Sequence, residues 1–281
     1  MALVTDSTSS LGPAQAARAG VAVVPLQVVI DGRSRPETEV AAAEVAAALR
    51  AGRTVTTSRP SPEVFASTYA ELARQGARAV VSVHLIAKIS GTCAAAEQAA
   101  AAAPVPVTVL DCGTLAMAAG FAVLTAAAAA QIGRPVEEVA RLARDRAAAS
   151  TTYFYVDTLE FLRRGGRIRP TAALLGTALS VKPLLTVSDG EIRPLERVRT
   201  ESRALARLEE LGLSALARAA GQSEHVDVAV HHLDNPEGAA RLVGRLRDRV
   251  TGCEIAVTEL SAVIGVHVGP GMLGLVISPR I

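Results

Sequence analysis

The stretch Ala79–Ala100, AVVSVHLIAKISGTCAAAEQAA, holds the pattern on which the fold turns. Its first six residues are a short apolar run ending at His84, which reads as a strand. Ser90-Gly91-Thr92 then opens an alanine-rich stretch that reads as a helix. The same order recurs on both sides. Leu3-Val4-Thr5 leads into Asp6-Ser7-Thr8-Ser9, and Thr54 to Thr57 leads into Ser58-Arg59-Pro60-Ser61-Pro62, where Ser61 is a good N-cap and Pro62 suits the first helical position. Val107 to Leu110 leads into Asp111-Cys112-Gly113-Thr114 and a long helix, and a further helix runs from Pro135 to Ala148. Strands alternating with helices imply a parallel sheet with helices on its faces.

One interruption breaks the repeat. Val23 to Ile30 followed by Asp31-Gly32 reads as a strand and a type I′ hairpin, a small β-ribbon protruding from the first unit. The second half differs in kind. Val181 to Val187, Ser188-Asp189-Gly190 and Ile192 to Val198 read as a hairpin, and Thr200 caps a helix reaching about Ala219. His225 to His231, Ile255 to Leu260, Val263 to Val268 and Leu273 to Ser278 read as strands, with a helix from Pro236 to Val250. The expected fold class is therefore α/β: an N-terminal parallel-sheet α/β domain with a β-ribbon insertion, followed by an α+β domain. The expected boundary lies in Arg164-Gly165-Gly166-Arg167, giving domains 1–164 and 165–281.

Composition narrows the function. A chain of 281 residues, 50% apolar, can bury a sizeable core. Its 29 basic and 27 acidic residues leave a net charge of +2, with no broad footprint for nucleic acid. Three Tyr, four Phe and no Trp are too few for stacking platforms. Cys93, Cys112 and Cys253 show no CxxC spacing, which argues against a disulfide framework or a structural zinc site. The adjacent His231 and His232 point to opposite faces of a strand and cannot share a metal ion. The first residues lack a basic region followed by an apolar run, so the expectation is a cytoplasmic protein. Gly113 to Gly133 carries no charge but is mostly alanine, and reads as a buried helix rather than a membrane span.

Gly269-Pro270-Gly271-Met272-Leu273-Gly274 matches GxGxxG, yet a dinucleotide fingerprint must open a helix in a βαβ unit. The residues after Gly274 read as a strand, so the glycines are assigned to a tight turn between two strands, and no nucleotide cofactor is expected. The hydroxyl loops carry more. Asp6-Ser7-Thr8, Thr56-Thr57-Ser58 and Ser90-Gly91-Thr92 should converge beyond the carboxyl ends of the strands, each before a helix N-terminus. Such a nest of hydroxyls and N–H groups suits a small anionic or polar head group. His267, in Gly265-Val266-His267-Val268-Gly269, has small neighbours that would leave its ring accessible. Two other readings of these residues stay open. One is an acyl hydrolase or transferase using Ser90 and His267 with Asp6 or Asp111, although Ser90 lacks the GxSxG elbow. The other is a binder of a small phosphorylated metabolite.

The ordered set of segments resembles the DegV family of bacterial fatty-acid-binding proteins. Val4-Thr5-Asp6-Ser7-Thr8, Thr57-Ser58-Arg59-Pro60-Ser61 and Ile89-Ser90-Gly91-Thr92 match its opening, its Thr-Ser-x-Pro-Ser element and its Ser-Gly-Thr element. The block from Asp157 to Arg167, then Leu175-Gly176, Val181-Lys182-Pro183, Asp189-Gly190, Arg199-Thr200 and Gly265 to Gly271, follow in the family's order. The resemblance implies a non-catalytic protein that holds a long-chain fatty acid, its carboxylate on the Thr57-Ser58 and Ser90-Gly91-Thr92 loops and its tail in an apolar tunnel. It implies that Arg199 and His267 fix the head group or contact a partner, and that a separate ATP-dependent fatty acid kinase subunit receives the acyl group. Cys93 stands where the family commonly has an aromatic, and Asp111-Cys112 replaces its usual Asp-Ser.

Overall fold

The computed structural model of the chain describes residues 1–168, 181–249 and 254–281. Leu175-Gly176 and Cys253 lie outside these residues. The chain opens with β1 (Ala2–Asp6), α1 (Pro13–Ala19) and β2 (Val21–Val24), then β3 (Gln27–Ile30), β4 (Arg33–Pro36), α2 (Ala42–Arg50) and β5 (Val55–Ser58). It continues with α3 (Pro62–Arg74), β6 (Val80–His84), α4 (Thr92–Ala100), β7 (Val107–Asp111), α5 (Ala116–Gln131) and α6 (Val136–Ala149). The order β2-β1-β6-β7 makes a four-stranded parallel sheet. Alanine permits its close cover: α5 and α6 pack Ala118, Ala122, Ala126, Ala140 and Ala143 into one core with Leu3, Val81 and Val83. Among the described residues, no helix is long and apolar enough to cross a membrane.

Two expectations fail around the ribbon. Val23 to Ile30 is not one strand, because Pro25 cannot donate to a ladder and divides it into β2, in the parallel sheet, and β3. The run from Thr54 to Thr57 does not enter the parallel sheet either. As β5 it pairs antiparallel with β3, setting Thr57 opposite Val28, so the ribbon is a three-stranded sheet in the order β4-β3-β5. Asp31 draws the two strands together: its Oδ1 accepts from Thr54 N at 3.2 Å and its Oδ2 from Arg53 Nε at 2.7 Å. Asp31 and Gly32 have φ of 48° and 80°, as a type I′ turn demands.

The second sheet is built from β8 (Thr151–Tyr155), β9 (Lys182–Ser188), β10 (Glu191–Val198), β11 (Val226–His232), β12 (Ile255–Glu259) and β13 (Leu273–Pro279). Between them lie α7 (Glu160–Arg164), α8 (Glu201–Ala220), α9 (Pro236–Arg247) and α10 (Ala262–Val268). The strand order is β10-β9-β8-β13-β11-β12, antiparallel except for β11 beside β12. β8 precedes Arg164 in the chain yet sits inside this sheet, between β9 and β13. One face of the sheet packs Tyr155, Leu184, Val230 and Leu275 under α8 and α9. The other turns Val276 and Ala229 toward the core of α5 and α6.

Val263 to Val268 is a helix, not a strand. The β-branched run suggests extension, but the first turn of the segment is supplied with helix partners. Ser261 Oγ accepts from Ile264 N at 3.3 Å, and Glu37 Oε1 accepts from Val263 N at 2.7 Å. Gly269 to Gly271 accordingly turns from a helix into β13 rather than between two strands. Arg146, 2% exposed, ties α6 to the second sheet. Its Nε donates to Ser278 Oγ at 2.6 Å, it pairs with Asp227, and its guanidinium lies 5.7 Å from the Phe121 ring centre.

Candidate functional site

A cavity of about 360 Å³ lies where the two halves of the chain meet. Its floor is the inward face of the six-stranded sheet. Phe154 stands opposite Gly274, and Gly274 opposite His231, while Thr152 stands opposite Val276 and Val187. Side chains paired across neighbouring strands share a face, so this row is one surface. Gly274 keeps it open: a Cβ there would lie 2.8 Å from Met272 Cε. α10 closes one side with Val263, Ile264 and Val268, and Leu115 and Ala116 at the start of α5 close another. The interior is thus mainly apolar, with Thr152 and His231 as the polar side chains of its floor.

Polar groups gather elsewhere on the lining. The loops after β1 and β6 and the end of β5 bring Thr8, Ser90, Gly91, Thr57 and Ser58 to the same cavity, and α10 brings His267. Thr57 Oγ1 and His267 Nε2 are 2.9 Å apart. Burial, and then the Arg167 charge, push the His267 imidazole down to about 4, so it is neutral at ordinary pH. Its Nδ1 is buried without a partner, and a Cβ on Gly165 would lie 2.4 Å from that atom. Only glycine at position 165 leaves the ring its place. Ser90 Oγ is 2.9 Å from Thr92 Oγ1 and accepts from Thr92 N at 3.3 Å. Thr92 is fully buried and does not line the cavity; it orients Ser90.

A second polar system stands behind Thr8. Asp6 Oδ1 accepts from Thr8 N at 3.0 Å and from the Thr8 hydroxyl, and its Oδ2 accepts from Leu85 N at 3.1 Å. The same oxygen is 3.0 Å from His84 Nδ1; His84 Nε2 is 2.7 Å from Ser82 Oγ, which is 2.9 Å from Tyr69 OH. These side chains are buried, and together they fix the loops that carry Thr8 and Leu85 to the cavity. His231 works similarly at the floor, where its Nε2 accepts from Met117 N at 3.2 Å and so caps α5 from across the interface. Burial lowers its pKa to about 4.

Arg199 is not brought to this site. It follows β10 on the exposed surface and is absent from the cavity lining. Among the described residues, the cations there are Arg59 and Arg167. Arg167 donates through Nε to Ile89 O at 3.1 Å and through Nη1 to Gly165 O. Both arginines lie within segments already quoted from the sequence, beside Thr57-Ser58 and after Gly165-Gly166, so position was the available signal. The Ser90–His267 hydrolase arrangement finds no support in this geometry. The imidazole pairs with Thr57, and no carboxylate orients its free nitrogen. Cys93 is no nucleophile: burial pushes its thiol up to about 12. Among the described residues, no group of three or more His, Cys, Asp or Glu could hold a metal ion.

Hydroxyls, a neutral imidazole and two guanidiniums thus open onto an apolar interior, an arrangement able to receive an amphiphile with an acidic head. The comparisons agree with that class. The sequence model described as "Uncharacterised protein, DegV family" matches residues 1–280, and the chain belongs to this family. A DegV domain-containing protein of Streptomyces coelicolor is 52% identical over 282 residues, covering 100% of this chain and 99% of the relative. A solved structure of a DegV family protein from Thermus thermophilus, described by its fatty acid binding, is 36% identical, with a TM-score of 0.89 and 99% of each chain covered. DegV of Bacillus subtilis, described as a fatty acid binding protein, is 30% identical, with a TM-score of 0.88 and coverage of 99% and 98%.

Proposed function

We propose that the protein is a non-catalytic carrier of a long-chain fatty acid. The carboxylate sits among Thr57, Ser58, Ser90, Gly91 and His267, and the tail runs over Phe154, Ile264, Val268 and Met272. The observation that carries this reading is the single cavity that joins the hydroxyl–imidazole cluster to an apolar interior. Each buried CH₂ contributes about 0.8 kcal/mol, so the tail supplies most of the affinity and the head group sets direction. Structural likeness to proteins described as binding fatty acids supports the ligand class.

The finer part of the reading is presentation. The carrier acts in the cytoplasm and offers its carboxylate to a separate ATP-dependent kinase subunit, which makes the acyl phosphate. The family resemblance and the exposure of Ser58 and Arg59 at the head-group end support it. The ligand test is direct: protein purified from a bacterial host is denatured and the released small molecules are analysed by mass spectrometry. About one fatty acid per chain is expected. Efficient extraction with no lipid would overturn the carrier reading. Presentation is tested by supplying a fatty acid kinase subunit and ATP. Acyl phosphate should form only when the loaded carrier is present.

A further inference from the structure

Among the described residues, the cavity lining contains two guanidiniums and no carboxylate. Arg167 spends two of its donors on backbone carbonyls, which satisfy hydrogen bonds but leave its charge uncompensated. Arg59 has no hydrogen-bond or ion-pair partner among the described residues. Its backbone is held, since Pro60 follows it and is buried, restricting Arg59 to extended conformations. Its side chain lies flat across Gly91: a Cβ at that position would be 2.7 Å from Arg59 Cδ, 3.1 Å from Nε and 3.8 Å from Cζ. Gly91 directly precedes α4 and follows Ser90. The missing side chain at Gly91 therefore makes the track along which this arginine reaches the head-group end of the cavity.

We infer that Arg59 is the residue by which this protein selects an ionised carboxylate head group over a neutral one. The inference rests on the fatty-acid reading above and goes beyond it by separating charge recognition from hydrogen bonding. Thr57, Ser90 and His267 offer hydrogen-bonding groups that serve an acid, an alcohol or an ester alike. A guanidinium distinguishes them, because its planar fork pairs with the two oxygens of a carboxylate and gains nothing comparable from a hydroxyl. Being exposed, Arg59 acts through water-screened attraction, so its effect depends on salt.

The test uses delipidated protein and two ligands of the same chain, dodecanoate and dodecanol, titrated by calorimetry. Arg59→Gln should weaken dodecanoate by about tenfold while changing dodecanol by less than about twofold. Arg59→Lys should recover part of the loss, since it restores charge without the planar fork. At ~0.5 M salt, where screening is strong, the unaltered protein and Arg59→Gln should converge on dodecanoate. Thermal melts of each variant separate binding from folding. Equal losses for both ligands, or no loss for either, would overturn the role of Arg59 and leave the carrier reading standing. If the unaltered protein binds neither dodecanoate nor hexadecanoate, both fall.

Discussion

Two of the polar places where the halves of the chain meet are built on opposite terms. At Arg146, a guanidinium 2% exposed is matched by Asp227, by Ser278 Oγ and by the carbonyl of Ser278. At the cavity, His267 Nδ1 and Thr152 Oγ1 are buried with no partner. An unpaired buried polar atom costs roughly 1–3 kcal/mol, whereas a satisfied one does not. The first contact spends nothing on function and holds the halves together. The second gives up stability and leaves polar groups unpaired at the cavity.

The sharpest way to break this contrast is at the clamp. Arg146→Ala takes the buried guanidinium away from Ser278 and leaves Asp227 to Arg280 alone, and should lower unfolding stability by about 3 kcal/mol in urea titrations. The folded fraction should retain its fatty-acid affinity. A loss under about 1 kcal/mol would mean that the clamp does not join the halves.

Acidification should weaken the fold through the two neutral imidazoles. His231 and His267 titrate near 4 in the folded protein, below the ordinary histidine value of about 6.5. Between those limits the unfolded chain binds protons that the folded chain refuses, so stability falls as pH falls. Urea melts at pH 7 and pH 5 should differ by about 4 kcal/mol, roughly 2 from each imidazole, and His231→Gln should remove about half of that difference. An unchanged slope in that variant would place the protons elsewhere.

A smaller effect separates binding from folding. Thr57→Val removes the hydroxyl beside His267 at almost constant volume, and should weaken fatty-acid binding by about tenfold with little change in melting. Equal affinity would remove Thr57 from the head-group set. The smallest expected change is a gain: Thr152→Val replaces an unpartnered hydroxyl on the cavity floor with a methyl group. It should raise stability by up to about 1 kcal/mol, read from the same urea titrations. A loss would mean that the Thr152 hydroxyl has a role in the empty protein.

Much of this was legible in the sequence because local chemistry fixed it. The strand–loop–helix repeats appear where the apolar runs predict them, although Ser61 stands at the N-cap of α3 without accepting a hydrogen bond from the helix. Asp189-Gly190 adopts the positive φ values of 53° and 68° that its hairpin needs, and Thr200 accepts from Arg203 N at 3.2 Å to cap α8. Long-range pairing was not legible. Val263 to Val268 reads as a strand because apolar alternation cannot tell a segment buried on all sides from one buried on two. Its helix depends on Glu37, which is 226 residues away in sequence. β5 joins the ribbon through contacts that no pattern within Thr54 to Thr57 reveals. The same limit explains the arginines. Arg199 follows the right motif in the right order, but charge location is a property of folded space, and there Arg59 and Arg167 lie at the cavity instead.

Glu37, α10 and the ribbon have a mechanical consequence. Glu37 follows β4 and holds the start of α10; the end of α10 carries His267; His267 meets Thr57 on β5; β5 pairs with β3, and β3 pairs back to β4. The contacts form a closed linkage, like a braced triangle in a truss. No member can shift without straining the others, so the head-group atoms are held in register before any ligand enters. A receptor braced in this way loses little of its binding energy to ordering itself.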